Sequence, residues 1–170
     1  MKWISGFPTN VTKGIPSLTS LLILNDPENG LPLAVMKGAY ITALRTVAVS
    51  AVAAERLCNQ DASTMALVGC GMQGQYHAIA MPTIVRSLSV LKVCDSYQPS
   101  VESFIKVISQ RVPSLRIEVC ESPEAAIRGA DLVITATGKL LEPIFSSEWV
   151  KQGALVQPVH TLGWDSSTAS

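Results

Sequence analysis

Residues 64–78 read TMALVGCGMQGQYHA: a short apolar run from Thr64, glycines at Gly69, Gly71 and Gly74, then residues compatible with a helix. A dinucleotide site needs this succession of strand, glycines at fixed offsets, and a helix whose first amides face a pyrophosphate. Gly69 permits the sharp turn, Gly71 lets the backbone approach the phosphates, and Gly74 lets the helix pack tightly on its strand. The glycine pattern alone also fits a plain turn. The next apolar run, SVLKVCD (Ser89 to Asp95), ends in an acid about 20 residues after the loop, where an acid meets the adenosine ribose. The plainer reading of Asp95 is a solvated strand end. SYQPS follows it, with no Arg or Lys to pair a 2′-phosphate, so NAD(H) is expected and NADP(H) disfavoured.

From Thr64 onward, strand and helix patterns alternate. The strands are TMALVG, SVLKVCD, LRIEVC (Leu115 to Cys120), ADLVITAT (Ala130 to Thr137) and GALVQ (Gly153 to Gln157). Helical segments lie between them, around Gln73 to Val85, Val101 to Arg111, Pro123 to Arg128 and Ser146 to Val150. Such alternation predicts an α/β fold with right-handed crossovers, a Rossmann-like doubly wound parallel sheet covered on both faces. Thr135 and Thr137 fall at the carboxyl end of the fourth of these strands, where their hydroxyls can meet ribose or nicotinamide; as β-branched residues they equally suit the strand itself.

Ahead of this region, LTSLLIL (Leu18 to Leu24), the turn-rich NDPENG and LPLAVM (Leu31 to Met36) predict a β-hairpin, with Pro32 at an edge or a strand start. Ala39, Leu44, Val47, Ala48, Ala51, Val52 and Leu57 then predict a long bridging helix. CNQDAS (Cys58 to Ser63) ends it. The organisation expected is a partial substrate and dimerisation domain over 1–58, an incomplete nucleotide domain over 59–157, and an irregular tail over 158–170.

Composition narrows the function classes. The chain has 170 residues, 48% apolar and 15% charged, with 13 basic and 13 acidic side chains. No basic run or aromatic stripe offers a footprint for nucleic acid, so a small molecule is the expected partner. AYITALRTVAVSAVAAERL carries Arg45 in its middle and falls short of the roughly 18 uninterrupted apolar residues of a membrane span. The N-terminus has Gly and Pro where a secretory signal needs an apolar core, and a cytoplasmic protein is expected. Cys58, Cys70, Cys94 and Cys120 lack a C-x-x-C pair and suit reduced thiols, and His77 and His160 stand apart from any ligand cluster, so no metal is expected.

Three segments together resemble the ornithine cyclodeaminase and mu-crystallin family: KWISGFP (Lys2 to Pro8) with KGIPS (Lys13 to Ser17), TALRTVAVSAVAAERL (Thr42 to Leu57), and MALVGCGMQGQ (Met65 to Gln75). The specific part is the TALRT helix just before GCGMQ. FPTN and LLILND look most like the branch that includes the diaminopropionate-pathway opine synthases. The resemblance implies that Lys2 holds the substrate carboxylate and assists proton transfer, and that Arg45 stands between that carboxylate and the nicotinamide. It also implies that Ser17 lies near the cofactor, that Met72 and Gln73 present amides to the pyrophosphate, and that Asp95 and Thr135 meet the ribose and the nicotinamide side. Two cations on one carboxylate form a coherent clamp. As plain structural residues, Lys2 would be a solvated terminal lysine and Arg45 half of an ion pair.

The chemistry implied is hydride transfer at an amino acid α-carbon, giving an imine that is attacked internally, hydrolysed or formed in reverse. An aspartate after the fifth strand of the nucleotide domain then acts as general acid/base. Asp165 in LGWDSS matches it only with extra residues after Gly153; ungapped spacing puts Thr161 in that slot. Members of the family are longer at both ends, so a truncated piece, homodimeric when whole, is expected. The other reading is a catalytically silent nucleotide- or ligand-binding protein of the mu-crystallin kind.

Overall fold

In the computed structural model, the structure describes residues 1–138 and 144–159. The chain forms two compact units that divide between Arg45 and Thr46.

The first unit is a three-stranded antiparallel sheet, β1 (Lys2–Gly6), β2 (Leu18–Asn25) and β3 (Pro32–Lys37), in the order β1-β2-β3. The expected hairpin is β2 and β3. Its turn forms because the Asp26 carboxylate accepts the Glu28 amide at 2.8 Å and Gly30 takes the left-handed φ of +76°. Pro32 opens β3 at the sheet edge, where its missing N–H costs no ladder bond. β1 was not anticipated. Its five residues carry no alternation of their own, and they become a strand by pairing with a segment far along the chain, from Lys2 opposite Leu22 to Gly6 opposite Leu18.

Helix α1 (Gly38–Leu57) begins in the first unit and continues into the second. The division falls inside α1 rather than at the turn residues 58–63, because Val47 and Ala54 are buried in the core of the second unit.

The second unit alternates β4 (Thr64–Val68), α2 (Met72–Ile84), β5 (Val90–Cys94), α3 (Gln98–Arg111), β6 (Arg116–Val119), α4 (Pro123–Ile127), β7 (Leu132–Thr135) and β8 (Leu155–Pro158). Its strands pair in parallel in the order β6-β5-β4-β7-β8, the doubly wound arrangement with its reversal beside β4. The segment around Ser146 to Val150 is a single 3-10 turn, Ser147–Trp149. Alternate residues of β4 serve opposite faces. Met65 and Leu67 join Met81 and Phe104 in one core layer, whereas Ala66 and Val68 join Ala126 and Ile127 in the other. Burial on both faces is why these strands read as continuous apolar runs.

Two polar groups, one buried and one partly buried, tie this unit together. His77 is fully buried, with Nδ1 2.7 Å from the Gln73 carbonyl and Nε2 3.0 Å from Ser50 Oγ. A carbonyl only accepts, so Nδ1 carries the proton and Nε2 accepts from the Ser50 hydroxyl. The Ser50 carbonyl in turn accepts from Gln157 Nε2 at 2.8 Å, joining α1 to β8. Asp131, with its side chain 12% exposed, accepts from the Ser63 and Thr64 amides at 2.9 and 3.1 Å and from Lys151 Nζ. It thereby pins the start of β4 beside β7.

Burial lowers the His77 pKa from its ordinary 6.5, against the opposing hydrogen bond to Gln73. For Asp131, burial raises the pKa, but the Lys151, Ser63 and Thr64 donors outweigh it and leave the carboxyl below its ordinary 3.8. Both folded-state values are depressed, so each group's contribution is complete above its unfolded pKa and lost as pH falls through the folded one. Denaturant melts of the chain are expected to weaken first below pH 6.5, through His77, and again below 3.8, through Asp131. The variant His77→Gln is expected to lose about 1–2 kcal/mol at pH 7.5 yet to stay flat down to pH ~5. An unchanged pH slope in that variant assigns the first window to another group.

Candidate dinucleotide-binding site

The carboxyl edge of the parallel sheet opens into a pocket of about 440 Å³ lined by Gly69, Gly71, Asp95, Ser100, Glu121 and Thr137, among others. Of the residues the sequence singled out, it gathers Gly69, Gly71, Asp95 and Thr137. Thr135 is 7% exposed within β7, and Thr137, two residues beyond, is the threonine at the pocket wall.

The three glycines answer to different constraints. Gly69 has φ +107°, and a Cβ there would stand 2.6 Å from the Ala136 carbonyl carbon. A Cβ at Gly74 would run into the Gly69 carbonyl oxygen and lie 3.3 Å from Leu67 Cδ2. Both are therefore required by the fold. A Cβ at Gly71 meets nothing within 4 Å, although Gly71 lines the pocket. Its side would open onto ligand space.

Gly71 is also the N-cap of α2 and supplies no side-chain cap. The first intrahelical bond recorded at this end runs from the Gln75 amide to the Gly71 carbonyl. The amides of Met72, Gln73 and Gly74 thus lie in the first turn, where no helical carbonyl precedes them, at the positive end of the helix dipole. Such an end is matched to a phosphate.

Asp95 fixes the loop from the side. Its Oδ2 accepts the Cys70 amide at 2.7 Å and its Oδ1 the Tyr97 amide at 2.9 Å, leaving lone pairs for further donors. Burial, then the Asp95 carboxylate, then Cys94 push the Cys70 thiol up to about 12. Cys70 is therefore a neutral thiol and no nucleophile. Asp95 and Glu121 give the pocket an anionic rim, and no cation lines it among the described residues. That charge pattern fits a ribose with free hydroxyls and opposes a 2′-phosphate. The loop amides, the open side of Gly71 and the acid at the end of β5 together fit NAD(H).

Lys2, Ser17 and Arg45 belong to the first unit. Lys2 opens β1, Ser17 precedes β2 and Arg45 lies on α1; all three are exposed. The ion pairs found among the described residues include neither Lys2 nor Arg45. Thr161 and Asp165 lie outside the described residues. The sequence reading did not single out Ser96, Ser100 or Glu121. The position of Glu121 just after a strand of a parallel sheet was the available signal, because ligands gather at that edge.

Fold and loop define a Rossmann-type α/β unit. The profile of the ornithine cyclodeaminase/mu-crystallin family matches residues 1–166, and the chain belongs to that family. It is 41% identical to nodulation efficiency protein NfeD of Rhizobium meliloti over 172 aligned positions, covering 100% of this chain and 52% of that protein. Its fold matches Δ1-pyrroline-2-carboxylate reductase of Thermococcus litoralis, solved with NADH and L-proline, at a TM-score of 0.87 and 32% identity over 92% of this chain and 48% of that one. An archaeal alanine dehydrogenase dimer with bound NAD matches at 0.80 and 32% identity, over 91% and 47%. The chain spans about half the length of the curated relatives it matches. No helix among the described residues is long and apolar enough to cross a membrane.

Substitutions at the two kinds of glycine are expected to separate folding from binding. Gly74→Ala should destabilise by about 1–3 kcal/mol, because the obstacle is backbone. Gly71→Asp should change stability by less than ~0.5 kcal/mol and abolish binding of a dinucleotide through steric block and repulsion of the pyrophosphate. Denaturant melts and calorimetric titration measure the two effects; NADH binding that survives Gly71→Asp puts the site elsewhere.

Proposed function

We propose that this chain binds NAD(H) at the Gly69–Gly74 loop and serves an amino-acid-converting enzyme of the ornithine cyclodeaminase type. The observation that carries the reading is Gly71: it is the one loop glycine that the protein's own packing does not require, and it faces the pocket that Asp95 borders. The relatives agree in chemistry, since the matched structures hold NADH with L-proline and NAD.

In this reading the α2 amides of Met72 and Gln73 carry the pyrophosphate, and Asp95 accepts from the ribose while holding the Cys70 amide. Thr137 offers a hydroxyl at the carboxyl end of β7. Lys2 and Arg45, cations without an ion-pair partner among the described residues, hold the substrate carboxylate, Arg45 through its bidentate fork. The nicotinamide, when bound, supplies hydride exchange at the amino acid α-carbon. Asp165 is the proposed acid/base for the amine.

Calorimetric titration of the chain with NADH and with NADPH tests the first step. Tighter binding of NADH by about tenfold or more is expected, because a 2′-phosphate must approach two carboxylates. Equal or NADPH-preferring binding contradicts the role given to Asp95, and no binding of either removes the reading. Turnover of NAD with a panel of amino acids then separates an enzyme from a silent binding protein: binding without turnover favours the latter.

A further inference from the structure

The pocket that Asp95 lines also takes in Glu121, and part of its wall is apolar. Cys94, Pro123 and Ile144 give it apolar surfaces, and Glu121 stands at its rim. In the order β6-β5-β4, the glycine loop follows β4, the ribose acid follows β5, and Glu121 follows β6. A dinucleotide with its phosphates at the first and its ribose at the second brings its base to the third. The apolar walls suit a planar ring.

Glu121 is exposed, yet its backbone is held on both sides. The Cys120 amide donates to the Val93 carbonyl at 2.8 Å, and Ser122 caps α4 by accepting the Ala125 amide at 3.1 Å. The Glu121 carboxylate itself has no hydrogen-bond or ion-pair partner among the described residues. An ionised carboxylate only accepts. The adenine ring presents a donor at its exocyclic amine, whereas unsubstituted purine has only a C–H at the same position and offers the carboxylate no N–H donor there.

We infer that Glu121 accepts a hydrogen bond from the exocyclic amine of the adenine ring and makes the site selective for the base as well as the ribose. The inference rests on the dinucleotide reading above.

Calorimetric titration of the whole chain with NADH and with its reduced analogue carrying unsubstituted purine in place of adenine, which lacks only that amine, tests it. NADH is expected to bind about tenfold more tightly, the effect of one charge-assisted hydrogen bond at an exposed rim. In Glu121→Gln a neutral acceptor replaces the charged one, so the ratio is expected to fall toward one with both ligands still bound. In Glu121→Ala the affinity for NADH is expected to fall while that for the purine analogue holds. A merely structural role would weaken both ligands in step and leave the ratio alone. A wild-type ratio near one, or a ratio unchanged in both variants, overturns the inference while leaving NADH binding intact. Failure of the wild-type chain to bind NADH overturns the inference and the dinucleotide reading together.

Discussion

The second unit depends on one close approach, that of helix α2 to the turn that leaves β4. A side chain at Gly74 would collide with the Gly69 carbonyl, and one at Gly69 would collide with the backbone at Ala136. Because both positions lack a Cβ, the chain can reverse within a few residues and start α2 directly above the strand end. The first-turn amides then point out over the sheet edge. The fold and the proposed phosphate site are thus one geometric solution, and the packing that closes the core also leaves a helix end without carbonyl partners.

Asp95 couples this turn to the neighbouring strand. One of its oxygens accepts the Cys70 amide inside the glycine loop and the other accepts the Tyr97 amide where the chain leaves β5. Its carboxylate therefore holds the loop and the strand end together, and in the proposed reading it meets the ribose as well. Burial first, and then the same anion, keeps the Cys70 thiol protonated. Asp131 performs a comparable service at the opposite edge of the sheet, where it gathers the amides that begin β4 and the ammonium of Lys151. Carboxylates on backbone amides thus hold β4 at its start and the loop beyond its end, and the pocket opens at the carboxyl edge.

Much of this was legible because the signals are local. Apolar runs at 64–68, 90–94, 116–119 and 132–135 became strands, the first two ending just before Gly69 and Asp95. The hairpin turn was legible from NDPENG for the same reason, since Asp26 and Gly30 stabilise it within six residues. β1 was not legible, because it exists only through pairing with β2, and neither was the burial of His77, which follows from Ser50 on a separate helix.

What the sequence determined by itself was the alternation that makes a parallel α/β unit, the glycine spacing with its acid downstream, and the motif set of the ornithine cyclodeaminase/mu-crystallin family. These are patterns of neighbours along the chain, and short-range sterics and hydrophobic periodicity suffice to read them. The tertiary structure decided which glycine faces the pocket, that Thr137 rather than Thr135 lines it, and that Glu121 shares the pocket with Asp95. Those facts depend on which strands lie side by side. Sheet order brings residues 26 positions apart to one rim, and no local property of either residue encodes that proximity.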